Sequence, residues 1–153
     1  MATESIRTAP QDISVLRRRV DVLSLYLLGI FVVGVLVQVF LAGRGAFGIM
    51  QGEDEFAAHR AMGNALALAS ILLAILSLIA RPSIATVVGT VVLGLLTEVG
   101  EHALADGGHS HVWLGALHAL DGVLILLLAI ALVVASLRRM GRRLDPWQSR
   151  LLR

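Results

Sequence analysis

Long apolar runs separated by short polar clusters set the rhythm of this chain. Residues 22–42, 61–80, 83–104 and 112–137 form four such runs, each close to or above the roughly 20 residues that carry a helix across a bilayer. Ser24 and Gln38 are the polar breaks in the first run, and Asn64 lies in the second. Glu98, Glu101 and His102 fall near the end of the third run, and His118 and Asp121 lie in the fourth. Arg81-Pro82 separates the second run from the third, and proline suits a first helical turn because its missing N–H has no partner there. Gly43, Gly45 and Gly48, and then Gly107 and Gly108, predict the two longer loops. The pattern predicts an all-α membrane protein, an up-down-up-down bundle of four transmembrane helices. Its transmembrane domain covers 21–137, between a polar leader at 1–20 and an Arg-rich tail at 138–153. The first run exceeds the ~7–15-residue apolar region of a cleaved signal peptide, so it reads as a retained helix.

Composition removes whole classes of function. Of 153 residues, 57% are hydrophobic and 16% charged, against ~45–50% and ~25% in soluble domains. The absence of cysteine excludes disulfides, thiolate metal sites and thioether-linked haem. All 13 basic residues are arginine, and their placement predicts orientation. Arg17, Arg18 and Arg19, then Arg81, then Arg138, Arg139, Arg142 and Arg143 share one side, so both termini are expected in the cytoplasm. Arg44 and Arg60 lie on the other side, offset by Glu53, Asp54, Glu55, Glu101 and Asp106. This charge reads as a topology signal and a contact for anionic lipid headgroups, with Trp147 as an interfacial anchor. The chain has no groove-reading motif, so nucleic acid is not an expected partner. Nor is there a nucleophile–base pair, phosphate loop or zinc-protease helix, so no enzyme activity is expected.

An internal repeat focuses attention on two histidines. At an offset of 59 residues His59 aligns with His118 and Gly63 with Gly122, which gives two His-x-x-x-Gly sequences on helices of like orientation. The same offset sets Gln38 opposite Thr97. The two hairpins form a pseudo-repeat about an axis along the membrane normal. By helical rise, His118 lies roughly 7–9 Å below Trp113, a depth where ionisable groups normally serve a site. Gln38, Asn64, Glu98 and Asp121 fall in the same layer, whereas the inner half of every span carries only hydroxyls as polar groups. A proton path through the whole bilayer is therefore not expected. His109 and His111, in a Gly-Gly-His-Ser-His loop, read as solvated.

Three chemistries suit that layer. In the first, His59 and His118 on diagonal helices bind the iron of a haem b. Gly63 and Gly122 clear space for the ring, and Arg60, with Arg44 nearby, pairs with its propionates. In the second, Glu98, Glu101, His102 and His118 hold a divalent metal, with Asp121 beside them. In the third there is no cofactor: Glu98 hydrogen-bonds His118 across helices, and the polar layer locks the bundle at about 0.6 kcal/mol per pair. The protein would then be a structural or accessory subunit of a larger membrane complex or a homo-oligomer. Gly29, Gly34, Gly89 and Gly94 supply the close helix approach such assembly uses.

Gln38-Val-Phe-Leu-Ala-Gly43, Gly45-Ala-Phe47, Glu55-Phe-Ala-Ala-His59-Arg60, Gly63 and Leu117-His118 resemble a family of small bacterial four-helix membrane proteins known only as a domain of unknown function. That resemblance implies a multi-pass protein of the bacterial cytoplasmic membrane and draws attention to Gln38, His59, Arg60 and His118. A fainter likeness is to haem A synthase and related membrane cytochromes, whose ligating helices carry Glu-x-x-His-Arg. Here His59-Arg60 matches that sequence, but Glu55 stands four residues before the histidine. That departure argues against haem modification and leaves simple haem b binding, for electron transfer or haem carriage, as the expectation.

Overall fold

The computed structural model describes residues 9–49, 56–108 and 110–144. They form α1 (Ala9–Ile49), α2 (Ala57–Ala80), α3 (Ile84–Leu95), a π-helical turn (Leu96–Gly100), α4 (Glu101–Gly108) and α5 (Val112–Leu144), with no strand among them. The π-turn joins α3 and α4 into a single third span, Ile84–Gly108, and all four spans are long and apolar enough to cross a membrane. Around the bundle, α1 packs against α2 and α5, and the third span packs against α2 and α5. Helices α2 and α5 are therefore diagonal.

The helices outrun the apolar windows. At 41 residues, α1 is roughly 60 Å long at the standard helical rise, about twice the hydrocarbon core. Its helix begins inside the expected leader and continues through Gly43, Gly45 and Gly48, where the glycines had predicted a loop. Gly45 is there for packing: a Cβ on it would stand 2.7 Å from the Phe56 ring. Gly107 and Gly108 close α4 instead of forming a loop, and Gly108 lies against the backbone of Gly115. The short turn between α2 and α3 is set by Arg81, whose left-handed φ of 48° caps α2 with its N–H on the Ser77 carbonyl. Pro82 precedes the cap instead of occupying the first turn, and Ser83 Oγ accepts the Thr86 N–H to open α3.

One stripe of each helix faces the axis. Leu28, Phe31, Val35, Leu66, Leu73, Leu93, Ile125, Ala129 and Leu132 form the core, flanked by buried Ser70, Ser77, Thr86, Thr90, Thr97 and Ser136. The hydroxyls satisfy themselves locally, as Ser70 does on the Ala67 carbonyl at 2.7 Å and Thr97 on the Leu93 carbonyl at 2.8 Å. Ser77 and Thr90 also meet across α2 and α3 at 2.7 Å. Outward positions carry Tyr26, Ile30, Phe40, Leu68, Ile84 and Leu127. Hydroxyls inside and large apolar side chains outside suit a lipid surround, where an outward apolar face costs nothing.

The pseudo-repeat extends through the core. At the offset of 59 the buried positions Leu66 and Ile125, Ser70 and Ala129, Leu73 and Leu132, and Ser77 and Ser136 coincide. The first helices of the two hairpins instead match at 62, pairing Leu28 with Thr90, Phe31 with Leu93 and Val35 with Thr97. Thr97 is thus the counterpart of Val35 and not of Gln38.

Candidate functional site

Gln38 follows Val35 on the inward stripe of α1, and His59 stands in the first turn of α2 beside it. His59 Nδ1 lies 3.2 Å from the Gln38 backbone carbonyl, and its Nε2 lies 3.3 Å from Gln38 Nε2. A carbonyl can only accept, so Nδ1 carries the proton and Nε2 presents its lone pair to the amide N–H. Gly63, one turn along, is what admits the Gln38 side chain, because a Cβ there would lie 3.2 Å from Gln38 Nε2.

The second hairpin also sets a polar side chain against its histidine, but at Nδ1 instead of Nε2. His118 Nδ1 lies 2.7 Å from Glu101 Oε2, both side chains half-buried, so Glu101 and not Glu98 is its partner across the helices. The contact is close enough for an ion pair but is not aligned as a hydrogen bond. Gly122 admits Glu101, whose Oε1 would lie 3.4 Å from an added Cβ. Glu101 reaches this place because of the π-turn. Its N–H bonds the Leu96 carbonyl five residues back, and the extra residue shifts the helix phase by one position, putting Glu101 opposite Gln38. Asp121, 6% exposed, sits one turn below His118, with its Oδ2 buried against Gly100.

His59 and His118 meet across the middle of the bundle, their ring centroids 6.3 Å apart and their planes at 80°. Phe56 covers the other side of His59, edge-on at 5.8 Å. Two imidazoles from diagonal helices, each with its Nδ1 against an acceptor, thus meet edge to face in a polar layer of Gln38, Glu101 and Asp121.

Residues 38–99 match a family of unknown function (DUF6220). The DUF6220 match covers less than half of the chain. It includes Gln38, His59 and Gly63 and stops before Glu101 and His118. Among curated proteins and among solved structures nothing matches. The likeness to haem A synthase has no counterpart in these comparisons.

Other polar residues of the expected layer go elsewhere. His102 is exposed and bonds back to the Glu98 carbonyl through Nδ1 at 2.9 Å, so Glu98, Glu101, His102 and His118 do not converge. No group of three or more His, Asp or Glu among the described residues has metal-binding geometry. Asn64 and Arg60 lie on the exposed side of α2, and Arg44 on that of α1. His111 stacks on Trp113 at 6.5 Å. His109, Glu53, Asp54, Glu55 and Trp147 lie outside the described residues.

A second polar cluster, at the far end of the bundle, was not expected from sequence. Arg139 on α5 reaches Asp21 Oδ1 on α1 at 3.3 Å and Ser136 Oγ at 3.0 Å, and donates to Thr86 Oγ1 on α3. The side chains of Arg139 and Asp21 are only 12% and 7% exposed. The signal was present in phase: Asp21 falls one heptad before Leu28, and Arg139 follows Leu132 and Ser136 on the same stripe.

Proposed function

We propose that this four-span membrane protein binds one haem b, with His59 and His118 as its two axial ligands, and serves electron transfer or haem carriage. The observation that carries the proposal is the imidazole pair across the bundle centre, 6.3 Å between centroids. Two imidazoles bound at roughly 2 Å on opposite sides of one metal put their ring centres about 6 Å apart. Both Nδ1 atoms are tied to acceptors, as is usual for ligating histidines. The Gln38 amide now stands at His59 Nε2, so binding requires that side chain to swing aside. Arg60, on the turn beside His59, suits the propionates. The test is haem content: protein purified from haem-replete cells should carry about one haem b per chain, and a value near zero would contradict the proposal.

A second function is supported by the same contacts. Gln38 already meets His59 and Glu101 already meets His118 without a cofactor between them, and 6.3 Å is also ordinary for an edge-on ring pair. Such a layer would lock a cofactor-free accessory subunit, which would purify colourless in a larger assembly or as a homo-oligomer.

The arginine placement supports a bacterial cytoplasmic membrane with both termini inside. A Ser110→Cys variant should react with an impermeant maleimide on intact cells, and Gly141→Cys only after permeabilisation. Both positions are exposed, and the chain has no cysteine of its own. The opposite labelling would reverse the orientation.

A further inference from the structure

One end of α1 carries cations that the bundle does not use. Arg139 meets both Asp21 and Thr86, so these three residues stand at one depth. Three residues separate Thr86 from Ser83, which opens α3, and three separate Asp21 from Arg18 on α1. Arg18 and Arg19 are therefore level with the turn at Arg81–Ser83, roughly 4.5 Å nearer the water than Asp21 by helical rise. Arg139 is buried on its partners. Arg18 and Arg19 are exposed and pair with no acidic residue among the described residues.

Val15, Arg18, Arg19, Val22, Leu23 and Tyr26 line one shallow groove along α1, a spacing that keeps them on a single helix face. Gly29 continues that face, and a Cβ on it would meet nothing within 4 Å. Tyr26 is 68% exposed and lies about two turns below Arg19, inside the apolar zone. Helical side chains lean toward the N-terminus, so the ring carries its hydroxyl back toward the arginines. That hydroxyl has no hydrogen-bond partner among the described residues, and an O–H surrounded by hydrocarbon needs one.

We propose that this face of α1 binds one anionic phospholipid. Arg18 and Arg19 hold the phosphate oxygens, the Tyr26 hydroxyl donates to an ester carbonyl of the glycerol, and an acyl chain runs along Val22, Leu23 and Gly29. One lipid matches the face in order, with charge at the interface, an acceptor beneath it and hydrocarbon beyond. A second copy of the chain does not match it, because a two-fold contact here would set Arg18 and Arg19 against their own copies. The groove lies at the opposite end of the bundle from the histidine layer and works whether or not those histidines hold a cofactor.

The test is native mass spectrometry of the delipidated full-length protein, titrated with phosphatidylglycerol or with phosphatidylcholine of the same acyl chains. The parent should take up one phosphatidylglycerol ahead of any phosphatidylcholine. Arg18→Gln combined with Arg19→Gln should weaken that first binding roughly 30-fold, the effect of two arginines near the headgroups. Tyr26→Phe should weaken it by less, and for both lipids, since both carry the ester. Arg138→Gln, exposed on α5, should bind as the parent does. Equal affinity of the parent for the two lipids, or parent-like binding by the double variant, would overturn the inference. An equal loss in Arg138→Gln would show a diffuse attraction of the whole charged end and overturn it too. Loss of a dimer instead of a lipid in the double variant would assign the face to a second copy. If the double variant fails to fold, Tyr26→Phe decides alone, and parent affinity in that protein would overturn the inference.

Discussion

Replacing Arg139 by alanine should destabilise the bundle by about 3–5 kcal/mol, the usual effect of stripping one partner from a buried ion pair. The guanidinium joins three of the four spans, with Asp21 on α1, Thr86 on α3 and Ser136 on its own helix α5. Its removal leaves the Asp21 carboxylate, 5% exposed as a residue, without that cation in a water-poor interior. The effect is on packing at the arginine end, since the histidines lie at the other. Asp21→Leu combined with Arg139→Met should recover most of the loss, because well-packed apolar pairs often equal or exceed the ion pair they replace. The measurement is the midpoint of unfolding by SDS in mixed micelles. An Arg139→Ala midpoint equal to that of the parent would show that the contact is solvated and carries no stability.

The four spans, the diagonal placement of α2 and α5 and the pairing of His59 with His118 were legible because each depends on a long periodic signal. Details that depend on a single residue of phase were not. The π-turn between Leu96 and Gly100 has no propensity signature of its own, so a regular helix put Glu98 and His102 on one face and did not single out Glu101 as the partner of His118. Gly45 and Gly108 looked like loop breakers because glycine favours turns. The same missing side chain lets Phe56 and Gly115 approach closely, and packing prevailed over propensity. Gly63 and Gly122 were expected to clear space for a macrocycle, whereas the space above them holds Gln38 and Glu101. Arg139 was read only as topology charge because it follows the apolar window, although its phase already placed it on the buried stripe.

Removal of His118 should abolish haem binding. Its ring is one of two that face each other across the axis, and no other histidine among the described residues stands near enough to replace it. His102 is turned outward onto the Glu98 carbonyl, and His111 is stacked on Trp113. His118→Ala also leaves the Glu101 carboxylate facing a hole where the imidazole stood at 2.7 Å. The protein should then purify with less than about a tenth of the parent haem, since two protein ligands act together on one iron. His59→Ala should lose the cofactor or leave it high-spin on His118 alone. His102→Ala and His111→Ala should keep parent haem content. Loss of haem in the last two variants, or its retention in His118→Ala, would assign the ligands elsewhere.

The most direct test of bis-histidine ligation is the absorption spectrum of the purified parent protein before and after dithionite. A single haem b between His59 and His118 predicts a sharp Soret band and, on reduction, well-resolved α and β bands of a six-coordinate low-spin iron. A folded, helical protein that remains colourless after expression with ample haem would contradict it.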